Sequence, residues 1–251
     1  IDGNQGGHVV TMEDISTNSQ RARLSGFTIK NGSSGNGGGV YHVNAYSKLD
    51  NLIITGNSAD DNGGGIYCSS SGTSNSLSMQ LSSVVIKENI SGYRGGGIYI
   101  ETSQLDMDNC VIESNDAFDG GGLYVQQSSE INLVRSLIIK NTSDEQGSGL
   151  CAYTTENIFL LNTSIAGNGG STQGVIFNGS GSSMNIRNSI ISESQGSIYN
   201  NAQLSIAFSN IFNGESIVTS NTDGSNNAVL YYGDGNISDD PQFVSTVLSD
   251  L

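Results

Sequence analysis

Five acidic residues, Asp60, Asp61, Asp119, Asp144 and Glu145, stand at matching points of a recurring pattern, each a few positions ahead of a glycine run, with Arg94 among them. Two or three carboxylates a few ångströms apart are what glycoside hydrolysis requires. The same group suits a hard cation such as Ca²⁺, which takes carboxylate and carbonyl oxygens. The surrounding residues match neither an EF-hand loop nor the nonapeptide of calcium β-rolls. The five are therefore a candidate Ca²⁺ site, and no side chain is assigned a catalytic role.

A polysaccharide lyase would need basic residues gathered around a uronate carboxylate. The chain has nine: Arg21, Arg23, Lys30, Lys48, Lys87, Arg94, Arg135, Lys140 and Arg187. They are spread along the sequence, which reads as a solvated surface. His8 and His42 lie far apart with no third ligand in sight, which argues against zinc. Cys68, Cys110 and Cys151 show no CxxC spacing, fall in different repeats and are expected as buried free thiols.

Tyr41, Tyr67, Tyr99 and Tyr124 are the candidate ligand-binding row. Each follows an apolar residue at the same point of successive repeats. In a strand, neighbouring side chains alternate faces, so the rings are expected outward, one above another, where they would stack on sugar rings or dock a protein. Tyr199 is expected to rejoin the row after Cys151 and Ile176 interrupt it. Aromatic residues also suit strands for packing alone.

The elements that would position these residues follow from a repeat. The motif GNSADDNGGGIY at 56–67 returns as ENISGYRGGGIY at 88–99 and SNDAFDGGGLY at 114–124, after an earlier KNGSSGNGGGVY at 30–41. Asn31, Asn57, Asn89, Asn115, Asn141 and Asn168 each follow an Ile-rich run, at steps of 26, 32, 26, 26 and 27 residues. Val40, Ile66, Ile98, Leu123, Leu150, Val175 and Ile198 give a second register of nearly the same period. The long step coincides with an uncharged Ser-rich insertion at 68–76. Within a repeat, as in LDMDNCVIESN at 105–115, apolar and polar residues alternate in short runs, which reads as β-structure.

Strands recurring in one order without helices are satisfied by an all-β, single-stranded, right-handed parallel β-helix of seven to eight or more coils, period about 26 residues. Residues 1–23 read as an N-terminal coil or cap remnant, 24–212 as the repeats, and 213–251 as an irregular C-terminal coil or cap. The glycines are expected at a corner needing φ > 0 or close coil approach. The asparagines are expected as a stacked amide ladder at strand ends, where Asn also tolerates the left-handed conformation. Sequons such as Asn89-Ile90-Ser91 and Asn141-Thr142-Ser143 fall out of that ladder.

With 34 Gly, one Pro, no Trp and 13% charged residues, the composition disfavours helices, yet regular Ile, Val and Leu exclude disorder. A net charge of −15 argues against nucleic acid and an anionic membrane surface. No apolar run approaches a bilayer span. Ile1 opens inside the pattern, which reads as a fragment or mature form.

IDGN at 1–4, LSGFTIKNG at 24–32, the GN-S-A…GGGIY repeat and GDGNISDDPQFV at 233–244 resemble bacterial right-handed parallel β-helix repeat proteins. The GGGIY and Asn columns are similar to the repeats of chlamydial polymorphic outer-membrane proteins, which are surface adhesins. The resemblance implies an extracellular or cell-surface setting. The functional expectation is a non-enzymatic adhesive or carbohydrate-contacting stalk of a larger bacterial protein, with a glycan or a cell-surface protein as partner. A polysaccharide lyase or glycoside hydrolase is the alternative, since the solenoid hosts both. A fibre subunit that self-associates end to end is the third, because both ends of the solenoid are expected to expose strand edges.

Overall fold

The computed structural model describes residues 1–15, 21–71, 78–127, 129–155, 157–192, 198–212, 218–220 and 228–238. Short strands wind as a β-solenoid, and every pairing between full strands is parallel. One central coil runs Ile98–Glu101, Gln104–Asp108, Val111–Glu113 and Asp116–Asp119. Strands equivalent to these four stack into a first, second, third and fourth sheet of nine, nine, eight and five strands. At about 4.8 Å per strand, nine strands make a rod roughly 38 Å long. No helix occurs among the described residues.

The interior is built from columns. On the third sheet the inward residue is Ile54, Ile86, Ile112, Ile138, Ile165, Ile191 and Ile211 in successive coils, each paired in register with the next and nearly or wholly buried. A coil of about 26 residues cannot enclose a core by itself; stacking lets each Ile cover the one below.

The corners carry left-handed residues. After the second sheet these include Asn51, Asn109 and Arg135, and after the third Asn31, Gly56, Glu88, Ser114 and Lys140. Within each GGG the three glycines serve different needs. Gly95 has φ 67°. Gly97 is held by proximity: a Cβ there would lie 2.5 Å from the Gly122 carbonyl oxygen and 3.0 Å from Asn115 Nδ2.

The Asn ladder begins at Asn57. Asn57, Asn89, Asn115 and Asn141 each donate Nδ2–H to the Oδ1 of the next member, ending on Asn168, at 2.9–3.0 Å. The backbone N–H of each also donates to that Oδ1, at 3.0–3.1 Å. Asn31 stands outside the ladder. The register aligns Ile29 with Ile54, so Gly32 occupies the ladder position and donates its N–H to Asn57 Oδ1 at 2.9 Å. The left-handed turn falls one residue before each ladder Asn, and Asn31 occupies that turn, at φ 56°.

Residues 1–23 contribute Val10–Glu13 and the start of Ala22–Ser25 to the first and second sheets. Val218–Ser220 and Val229–Tyr232 extend the same sheets beyond 212. Residues 72–77 of the Ser-rich insertion, and 213–217, 221–227 and 239–251 of the C-terminal segment, lie outside the described residues.

Candidate functional site: the tyrosine column and the acidic corner

Tyr41, Tyr67, Tyr99 and Tyr124 pair in register on the first sheet and point away from the Ile-lined core. Their ring centroids are 5.5, 5.2 and 5.8 Å apart, with planes within 7° of parallel. Rings that stand up from a parallel sheet turn their faces along the rod axis, so each face lies against the ring of the next coil. The row therefore presents ring edges sideways, and the faces that a sugar would stack on are taken. Tyr99 and Tyr124 are buried, and Tyr41 and Tyr67 are half-buried.

The column continues differently from the sequence expectation. Leu150 pairs with Ile176, which turns inward, so Phe177 occupies the aromatic position and stacks on Tyr199 at 5.4 Å. Tyr153 leans across the gap above Cys151, 6.2 Å from Tyr124 and 5.1 Å from Phe177. The sequence places Ile176 in the column through a one-residue slip at GNGGSTQGV, which lacks the third glycine that sets the phase elsewhere.

Hydroxyl groups of this column are tied into the wall. Tyr99 Oη accepts from Gln126 Nε2 at 2.6 Å, and Tyr153 donates to Gln146 Oε1 at 2.5 Å. Burial pushes the phenols of Tyr67, Tyr99 and Tyr124 above their ordinary value, and that of Tyr153 up to about 12. They are neutral hydrogen-bonding groups at any physiological pH.

The acidic corner does not assemble. Asp119 is buried on the column formed by Asn36, Asn62, Arg94, Asp119, Gln146 and Gln173. Asp60, Asp61 and Asp144 are exposed, and Glu145 is half-buried with its Oε2 accepting from Thr172 Oγ1 at 3.1 Å. A bulge explains the split: the register shifts between Ala117 and Asp119, where two residues of Thr142–Gln146 face one across the ladder. Among the described residues, no three His, Cys, Asp or Glu side chains come together as metal ligands. The five acids thus lack the shared donor set that a Ca²⁺ site needs.

Arg94 serves as the clamp of this corner. Its guanidinium lies 4.3 Å from the Tyr93 ring centroid and 4.8 Å from that of Tyr124, with Nε 3.8 Å from Asp119 Oδ2. Burial raises the Asp119 carboxyl, and Arg94 pulls against that rise. Glu145, on the adjacent strand, adds to the rise of Asp119, whereas Asp60 and Asp61 lie two strands away.

His42 and Cys68 meet in the core. They pair in register, and His42 Nδ1 lies 3.2 Å from Cys68 Sγ. Burial drives the imidazole down to about 4 and the thiol up to about 12, the reverse of a reactive thiolate–imidazolium pair. His8 lies instead against Tyr41, its ring 4.5 Å away. All three cysteines are free and buried. The His42–Cys68 contact was legible only through exact register, which places positions 42 and 68 side by side.

Residues 51–69, one stretch from the third sheet through the fourth to the first, match the Chlamydia polymorphic membrane protein repeat. That stretch contains Asn57, the Asp60–Asp61 pair, the Gly63–Gly65 corner and Tyr67. No curated protein and no solved structure matches the chain. The repeat match and the β-solenoid together fit a surface-associated β-helix domain.

Proposed function

We propose that this chain is a non-enzymatic, surface-displayed part of a larger bacterial protein, a stiff stalk that makes adhesive contacts with glycans along its side. The observation that supports the reading most is the continuity of its columns. The Asn ladder links five successive coils by side-chain hydrogen bonds, and the ring stack runs beside it from His8 to Tyr199. Such a rod resists bending and repeats its surface chemistry at every strand. A repeating surface suits an extended, repeating ligand better than a single reacting centre. The repeat match adds a cell-surface setting.

A glycan array probed with the purified chain, followed by chromatography of every bound glycan for shortened products, tests this reading. Binding without shortening is the expected result. Shortened products would move the function to polysaccharide processing, and an array with no binder would remove the glycan contact altogether.

A further inference from the structure

The outer face of the second sheet has three adjoining hollows. The largest, about 440 Å³, runs from Lys48 over Gln80, Asp106 and Asn132 to Arg135. A second of about 300 Å³ shares Asn132 and Val134 with it and passes over Phe159 to Arg187. A third of about 130 Å³ shares Lys48 and reaches Arg23. Together they form a trough across seven strands, roughly 29 Å long at the strand spacing.

Charge sets this face apart. Of the nine basic residues in a chain of net charge −15, Lys30, Lys87, Arg94, Arg135 and Lys140 are held in ion pairs. Arg21 donates to Ser78 Oγ at 3.4 Å. Arg23, Lys48 and Arg187 remain without an ion pair among the described residues, and all three line the trough. Arg23 and Lys48 are direct partners in adjacent strands, so two uncompensated cations stand side by side.

Glu130 shares this face at the start of its strand, in register with Gln104 and Asn157, and three other acids on it are engaged. Asp108 pairs with Arg135 at 2.5 Å, Asp106 Oδ1 accepts from Asn132 Nδ2 at 2.9 Å, and Asp50 accepts from Ser25 Oγ at 3.3 Å. Between Lys48 and Arg187, whose guanidinium lies 5.7 Å from the Phe208 ring centroid, stand Gln80 and Asn132, whose amides both donate and accept. Phe159 is 41% exposed, and here the ring stands where no aromatic neighbour covers it: its register partners are Asn132 and Asn185.

We propose that this trough binds an extended acidic polysaccharide lying along the rod. Its carboxylates meet Arg23 and Lys48 at one end and Arg187 at the other. Its hydroxyls meet Gln80, Asp106 and Asn132, and one sugar ring packs on Phe159. Amides and a carboxylate recognise hydroxyls, an aromatic face takes the apolar side of a sugar ring, and cations without a carboxylate partner in an acidic protein select a carboxylated chain over a neutral one. The inference rests on the glycan-contact reading above and supplies its face and ligand class.

The test is calorimetric titration with size-defined oligouronates and with neutral oligosaccharides of equal length. The proteins are the wild type, Arg23→Gln/Lys48→Gln, Phe159→Ala, and Lys87→Gln/Lys140→Gln as a charge-matched control on the third-sheet side. Thermal midpoints confirm that each variant is folded. The expected result is wild-type binding of oligouronates that weakens with salt, falls about tenfold or more in the trough double variant and in Phe159→Ala, and is unchanged in the control. Equal loss in the control, or no loss in the trough variants, overturns the trough. Neutral oligosaccharides bound as well as oligouronates overturn the acidic assignment and leave the glycan reading standing. Binding of neither class overturns both.

Discussion

Replacing Asn115 by Ala probes the ladder at the middle of the rod. The residue is fully buried. Its Nδ2 donates to Ile86 O at 3.0 Å and to Asn141 Oδ1 at 2.9 Å. Its Oδ1 accepts from the N–H of Asn89 at 3.1 Å and from Asn89 Nδ2 at 3.0 Å. Four hydrogen bonds disappear together. Asn89 Nδ2 keeps its bond to Ile54 O, but the Asn89 N–H is left inside without that acceptor. Four net bonds of about 1 kcal/mol each, with an orphaned buried donor at about 1–3 kcal/mol, place the loss at about 5–7 kcal/mol. Asn31→Gly is the matched comparison. Asn31 Nδ2 reaches only Asp2 on the exposed rim, and its φ of 56° suits glycine, so that change should stay within about 0.5 kcal/mol. Urea unfolding followed by circular dichroism reads both. An Asn115→Ala loss below about 1 kcal/mol, or no larger than that of Asn31→Gly, would refute the ladder as a main source of coil-to-coil cohesion.

Gly97→Ala should destabilise by about 1–3 kcal/mol or more, because its Cβ would meet the Gly122 carbonyl oxygen at 2.5 Å; a thermal midpoint equal to wild type would contradict the close approach. Acid should weaken the fold through His42. Its folded value near 4 lies below the ordinary 6.5, so the unfolded chain takes the proton first, and stability declines as pH falls from about 6.5 towards 4. The full effect is about 3 kcal/mol, and His42→Met, a side chain that fits beside Met12 and Cys68, should flatten that slope in denaturant titrations across the window. The thiols should be inert in the native protein, since burial pushes Cys68 up to about 12 and Cys110 up to about 11, and raises Cys151 well above its ordinary value. An aromatic disulfide reagent at pH 8 should label all three only after denaturation, and rapid native labelling would show open access to the core.

The period was readable because each coil must repeat the same inward Ile, the same glycine corner and the same amide to stack at all. Ile54, Ile86 and Ile112 announce the third-sheet column without help from the structure. Asn31 shows where a sequence column misleads: TIKNG and ITGN both contain Asn, yet only register tells the ladder position from the turn before it. The outward direction of the tyrosines followed from strand alternation, but the orientation of each ring depends on its neighbours above and below. Ring faces packed on ring faces are a property of the stack, not of any one repeat. The acidic residues looked clustered because they are close in sequence phase, and the bulge opposite Asp119 sends them to different columns. The trough left little trace, since Arg23, Lys48 and Arg187 are set apart from Lys30, Lys87, Arg94, Arg135 and Lys140 by having no ion pair among the described residues, which no sequence pattern encodes.

The most direct test is a crystal structure of the chain soaked with an oligouronate of six or more sugars at a saturating concentration. The account predicts sugar density along the second sheet between Arg23 and Arg187, with a ring over Phe159 and an intact chain. Density over the tyrosine column instead, or a cleaved ligand, would contradict it.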